Sequence, residues 1–352
     1  MSMRWNKLCV AALSVAALIM PLAACEGQLP TPAADSSTKA QPDLTEAQEK
    51  KIRAKILETI DQADAARSAD GYKAVMGGPQ LEIRTSQATI AQKSGSMSKY
   101  ATIPKDIAQV VIPTDDGWPR SVFTITTTTE DQQSKRLLVL NQESARQNYK
   151  LMAMARLFEG AQLPKFEVPT IGSRMGTDKD ENLVATPADA LTRYADVLQN
   201  GANSKFASQF ADDQLRQKIA ELTNTVQEGI ARNNGTQEQT FTATPDQMWV
   251  MRTADGGDLV VGRVDSVWTR QAGDGRESQP ASDDEKILFN SDKYTSTMKV
   301  TYVNVVALYI PSANSGQGRG AVSSHHVVIS PPRCQTNFVF RRITLFWVTT
   351  WW

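Results

Sequence analysis

From Pro42 onward, the apolar positions follow two different periods. Ile52, Ile56 and Ile60, with Leu57 and Ala63, recur every three or four residues behind Thr45 and Gln48, a capping-box pair. This predicts a helix from Pro42-Asp43-Leu44-Thr45 to about Ser68. A broken stretch follows through Gly71, Gly77, Gly78 and Pro79, and the period then shortens to that of strands. Ile107–Ile112, Ser121–Thr129, Lys135–Gln142 and Asn148–Phe158 are short runs rich in Val, Ile, Thr and Leu. They are separated by the polar turns Thr114-Asp115-Asp116-Gly117 and Glu130-Asp131-Gln132-Gln133, as an antiparallel meander would be.

The same order then recurs. Thr186-Pro187-Ala188-Asp189 is a helix start with Leu191, Tyr194 and Leu198 on one face. A second helical stripe, Leu215, Ile219, Leu222, Val226 and Ile230, runs to Asn233-Asn234-Gly235. Strands are predicted at Thr240–Thr244, Met248–Thr253, Leu259–Arg270 and Met298–Tyr309, with a hairpin at Ala254-Asp255-Gly256-Gly257-Asp258. A polar insert, Gly273–Glu285, is expected to be a loop between strands. The fold class is therefore α+β, with two tandem modules of helices packed on a curved antiparallel sheet: 44–172 and 184–317, joined by a linker at 173–183. A helix laid across such a sheet resembles the cystatin-like and nuclear-transport-factor-like architectures, which implies no activity by itself.

The two ends read differently. Met1–Ala24 has Arg4 and Lys7 ahead of the uncharged apolar run Leu8–Met20, the pattern of a signal peptide. Its apolar part, about 20 Å long as a helix, is too short for a bilayer core of roughly 30 Å. Leu22-Ala23-Ala24-Cys25 resembles the lipobox of bacterial lipoproteins. That resemblance implies cleavage before Cys25, a diacylglycerol on its sulfur, and a membrane as partner, with the protein lipid-anchored on the extracytoplasmic face. Glu26–Asp43, rich in Pro, Ala, Ser, Thr and Gln, is expected to be a tether. Across Lys135–Arg216, Arg136-Leu137-Leu138-Val139-Leu140, Leu157-Phe158-Glu159-Gly160-Ala161-Gln162-Leu163-Pro164 and Ala185-Thr186-Pro187 with Tyr194-Ala195 resemble an uncharacterised family of secreted and lipid-anchored actinobacterial proteins. From Gly318 the composition changes: Asp, Glu and Lys vanish, both histidines appear as His325-His326, and Trp347, Trp351 and Trp352 crowd the end. Residues 318–352 therefore read as the product of a reading-frame shift, with a last strand at Asn337–Val348 as the other reading.

Charge and composition narrow the function. With 41% hydrophobic and 22% charged residues, the chain has the composition of a globular protein. Its 38 bases balance 38 acids, but the leader and tail hold six of those bases and no acid. The middle of the chain is thus about −6, which argues against a nucleic-acid partner. Cys25–Gln317 has no histidine and no thiol besides Cys25, so Cys–His catalysis and thiolate metal sites find no residues there. Ser96-Met97-Ser98-Lys99 spells an isolated Ser-x-x-Lys without the setting of an acyl-enzyme site. Asp115-Asp116, Asp212-Asp213 and Asp283-Asp284 are adjacent pairs of the kind found in solvated turns. Asp178-Lys179-Asp180-Glu181 has only the start of a calcium-loop spacing. No metal or cofactor is expected. Trp118, in a turn, is a candidate for stacking on a sugar ring or a partner, or for capping the sheet. Trp249, Trp268 and Tyr302 lie on strands, where they fill the core or line a ligand cavity. The expected function is a non-catalytic, lipid-anchored envelope protein that binds a partner protein or wall polymer. The alternatives are a hydrolase using Asp or Glu and a carrier of a small hydrophobic ligand.

Overall fold

The computed structural model describes residues 41–115, 117–128, 134–158, 161, 163–314, 328–330 and 343–344. The leader, Cys25, the expected tether up to residue 40, Asp116 and most of the tail, with both histidines and Cys334, lie outside the described residues.

Helix α1 (Glu46–Ala66) begins at the predicted cap: Thr45 Oγ1 accepts the Gln48 N–H at 3.2 Å, and the Gln48 side chain accepts the Thr45 N–H at 2.8 Å. Ile56, Leu57, Ile60 and Ala63 form its buried face. The stretch expected to be broken is instead a short helix α2 (Tyr72–Val75) followed by α3 (Gly78–Ser94), with Pro79 in the first turn. Much of the buried face of α3 is polar (Gln80, Arg84, Ser86 and Gln87), so no apolar stripe announces it. Arg84 is held by Asp64 and by the Ala101 carbonyl, and Asp64 also accepts the Tyr72 hydroxyl at 2.7 Å.

Strands β1 (Ile107–Val111), β2 (Arg120–Thr126), β3 (Arg136–Gln142) and β4 (Lys150–Leu157) form the predicted antiparallel meander. In the second half, α4 (Pro187–Asn200) is capped by Thr186 and α5 (Gln214–Ala231) by Asp213. Strands β5 (Thr236–Arg252), β6 (Asp258–Gln271) and β7 (Thr297–Ile310) pair in sequence order. The two strands expected at Thr240–Thr244 and Met248–Thr253 are one strand, irregular between Thr244 and Met248, where Pro245 has no N–H to give the ladder. The expected loop Gly273–Glu285 ends as the start of helix α6 (Asp283–Phe289), and its Glu285 is buried. A short strand β8 (Val328–Ser330) hydrogen-bonds to both β4 and β7, and β9 (Ile343–Thr344) lies parallel to β7.

The class is α+β, with helices preceding an antiparallel meander in each half. The alternation of side chains along the strands then couples the halves. Val122, Leu138 and Leu140 face α1, and Val260, Val264, Val306 and Leu308 face α4. The opposite faces, Phe123, Ile125, Leu137 and Val139 from one meander and Leu259, Val261, Val305 and Ala307 from the other, belong to one shared core. At Gly262 a Cβ would stand 2.6 Å from Leu191, so the missing side chain lets α4 lie close on β6. Helix α3 lies against β4, β7 and α6, and Glu82 on it pairs with Arg263 of β6 at 2.9 Å. The described residues, from Gln41 onward, form one compact unit. The segment 173–183 is pinned between the halves: the Ser173 N–H donates to the Ile112 carbonyl, and Gly176 and Arg174 pair with Val250 and Arg252 of β5.

Candidate functional site

The folded unit carries a groove of about 990 Å³ between α1 and β1, the outermost strand of its meander. The spacing that buries Ile56 and Ile60 turns Glu46, Lys50, Ala54, Glu58 and Asp61 toward this groove from one side of α1. Lys105, Asp106, Ile107 and Val110 close it from the β1 side, and Leu57 lies in its floor. Glu49 is also in the floor and wholly buried, with Arg53 Nε at 2.8 Å and the Thr124 hydroxyl donating at 3.2 Å. Arg53 reaches on to the Lys105 carbonyl at 2.7 Å, which fixes the chain leading into β1. At the rim, Lys105 and Asp61 pair at 2.8 Å, and that carboxylate raises the Lys105 pKa. The groove therefore offers a floor of Leu57 beside the buried Glu49–Arg53 pair, a rim with charges of both signs and a strand edge, a surface suited to holding an extended polar chain.

A second cluster lies where β5 turns into β6. Asp258, the first residue of β6, is wholly buried, and Asp180 approaches it from the 173–183 segment. Burial above all, and then the negative charge of Asp180, push the Asp258 pKa up to about 7, against the pull of Arg252. Arg252 pairs with Asp180 at 2.8 Å and stands 4.0 Å from Asp258, while the Thr177 hydroxyl donates to Asp180 at 2.7 Å. The two aspartates can share one proton, but Asp258 is 0% exposed, so no substrate reaches it in this conformation. Neither acid belongs to an adjacent Asp pair, and only the partial calcium-loop spacing drew attention to Asp180.

The acidic pairs noted in the sequence have separate, mainly structural positions. Asp115 accepts the Met175 N–H at 2.6 Å, and its neighbour lies outside the described residues. Asp212 is exposed, whereas Asp213 caps α5 and accepts the Tyr194 hydroxyl at 3.1 Å. Asp283 and Asp284 begin α6, and burial followed by the charge of Asp283 raises Asp284 to about 6. No group of three or more His, Cys, Asp or Glu side chains among the described residues could hold a metal ion.

The aromatic candidates are dispersed. Trp118 is 45% exposed in the β1–β2 loop, with Arg120 lying 4.3 Å from its ring. Trp249 is half-buried beside Gly78. Trp268 and Tyr302 are buried together around a buried ion pair, Arg270–Glu285. The Trp268 indole N–H donates to Gln237 at 2.9 Å and its ring lies under Arg270, while the Tyr302 hydroxyl is 3.4 Å from Glu285. None of these four side chains lines the α1–β1 groove.

No helix among the described residues is long and apolar enough to cross a membrane. The model of a family described as "Domain of unknown function (DUF8094)" matches residues 40–325. No curated protein matches the chain. No solved structure matches it either.

Proposed function

The chain belongs to this family of unassigned activity, and we propose that it is a lipid-anchored, extracytoplasmic binding protein that holds an extended partner peptide or wall polymer in the α1–β1 groove. The observation that carries the reading is the groove itself: a floor of Leu57 beside the buried Glu49–Arg53 pair, a rim of mixed charge and an outer strand. The anchor rests on the sequence, where Arg4 and Lys7, an apolar run and Leu22-Ala23-Ala24-Cys25 follow in the order of a lipoprotein leader. The actinobacterial lipoprotein likeness across Lys135–Arg216 supports the same location. A hydrolase built on two carboxylates is the weaker reading, because the closely opposed pair, Asp180 and Asp258, is sealed.

The test is binding of the full chain to purified cell-wall polymer and to envelope proteins cross-linked in place, with the groove open or filled. Ala54 is exposed on α1 within the groove, so Ala54→Arg fills it without touching the core or lowering helix propensity much. Binding is expected to fall at least about tenfold, a loss of about 1.4 kcal/mol, with the melting temperature unchanged. Equal binding by Ala54→Arg overturns the groove. Separately, Cys25→Ala is expected to release the protein from membranes, and continued retention overturns the anchor.

A further inference from the structure

Three large apolar side chains are exposed among the described residues: Trp118 at 45%, Val168 at 54% and Ile171 at 55%. They sit on two loops that the backbone ties together. The Ser173 N–H donates to the Ile112 carbonyl at 2.9 Å, and the Met175 N–H donates to Asp115 at 2.6 Å. Gly172 approaches Thr114 so closely that a Cβ there would lie 2.2 Å from the threonine methyl, and its φ of +78° is one that few other residues adopt. Val168 and Ile171 belong to a closed turn, because the N–H groups of Ile171 and Gly172 both donate to the Val168 carbonyl at 2.8 Å. These side chains are therefore presented outward by an internally bonded turn.

The same place is the root of the N-terminal segment. The Asp43 N–H donates to the Pro113 carbonyl at 2.8 Å, and its carboxylate lies 3.4 Å from Arg120 Nε. Arg120 in turn holds the Gly117 carbonyl at 2.8 Å and stacks on the Trp118 ring. One guanidinium thus joins the point where the chain comes in from Cys25 to the exposed tryptophan. The Trp118 indole N–H points toward Gln142 at 3.4 Å and Arg120 covers one face of the ring, so one end is polar and the residue as a whole stays 45% exposed.

We infer that Trp118, Val168 and Ile171 form a contact face for the lipid surface, seated where the N-terminal segment joins the fold. This rests on the lipid-anchor reading. The occupant follows from two features. A tryptophan with a satisfied polar end beside two aliphatic side chains suits the interface between headgroups and acyl chains, whereas a sugar ring gains little from Val168 and Ile171. The position follows from chain length: about eighteen residues separate Cys25 from Asp43, and a chain of that length without regular structure has a root-mean-square span of about 23 Å. The end of the fold nearest Asp43 is therefore the end held at high effective concentration against the membrane.

Two measurements separate the anchor from the face. Flotation of Trp118→Phe with and without Cys25→Ala, the face weakened in both, reads the anchor. Quenching of tryptophan emission by a brominated phosphatidylcholine, in vesicles of phosphatidylethanolamine and phosphatidylglycerol, reads the face as the difference between wild type and Trp118→Phe, which cancels the other six tryptophans. It is run on the reconstituted full chain and on the Cys25→Ala chain added from outside, so an anchor that fails leaves the second test intact. Trp118→Phe is expected to remove more than half of the lipid-dependent quenching, and Val168→Ser with Ile171→Ser to reduce it about threefold. Quenching that is unchanged in Trp118→Phe overturns the proposal, as does a Trp118 that stays open to aqueous acrylamide on vesicles. Protection of Trp118 before vesicles are added, with a dimer in sedimentation, would assign the face to a second copy and also overturn it.

Discussion

Asp258 shows how one side chain couples this fold to pH. Its carboxyl is sealed beside Asp180, so the proton that an aspartic acid ordinarily releases near pH 3.9 is held until about pH 7. Below about pH 4 folded and unfolded chains both carry that proton, and the contribution to stability is complete. Between about 4 and 7 the unfolded chain releases it first, so stability falls as pH rises; above about 7 the contribution is gone. Asp258→Asn, which mimics the protonated acid, is expected to flatten the fall between pH 5 and 8. It should also stabilise the protein by roughly 1–4 kcal/mol at pH 8, read as melting temperature across that range. Equal slopes in the two proteins would place the proton elsewhere. Nothing in the sequence singles out Asp258, because its character comes from Asp180, 78 positions earlier, and from complete burial. Trp118 was legible as an unusual residue in a turn, but its link to Asp43 through Arg120 needed the folded chain.

Helices were legible where one face is apolar and the other polar, and strands as short runs rich in Val, Ile, Leu and Thr, since β2 and β3 are buried on both faces. The stripe of α1, the caps at Thr45 and Thr186 and the strands of both meanders lie within a few residues of their predicted places, except that the two strands expected at Thr240–Thr244 and Met248–Thr253 are the single β5. Helix α3 was not legible, because Gln80, Arg84, Ser86 and Gln87 are buried in it and the periodic signal depends on apolar burial. The insert before α6 misled for a related reason. Its polar composition suggests solvent, yet Glu285 is sealed against Arg270 and also accepts the Ala281 N–H. Glu285→Ala leaves the Arg270 guanidinium charged and buried, and should destabilise the protein by about 3–5 kcal/mol. Pairing it with Arg270→Met should recover part of that loss; denaturant titration of the three proteins checks both statements. A cost below about 1 kcal/mol would mean that water reaches Arg270 freely.

For the molecule as a whole, the order of elements was readable but their joining was not. Helix-then-meander occurs twice, as expected, yet Phe123 and Val139 share a core with Leu259 and Val305, and α3 lies across both halves. A sequence pattern reports which face of a strand is buried, and it does not report against which strands. The shared core predicts a single cooperative transition in urea, monitored by near- and far-ultraviolet circular dichroism; two separated transitions would mean that each half folds alone. The core has a further consequence during synthesis. When the first meander has left the ribosome, the faces that bear Phe123, Ile125, Leu137 and Val139 have only Ile83 and Ile90 of α3 as partners until β6 and β7 are made, well over a hundred residues later. For that interval the nascent chain carries a greasy half-core covered only in part by one helix, a surface that a holding chaperone would shield.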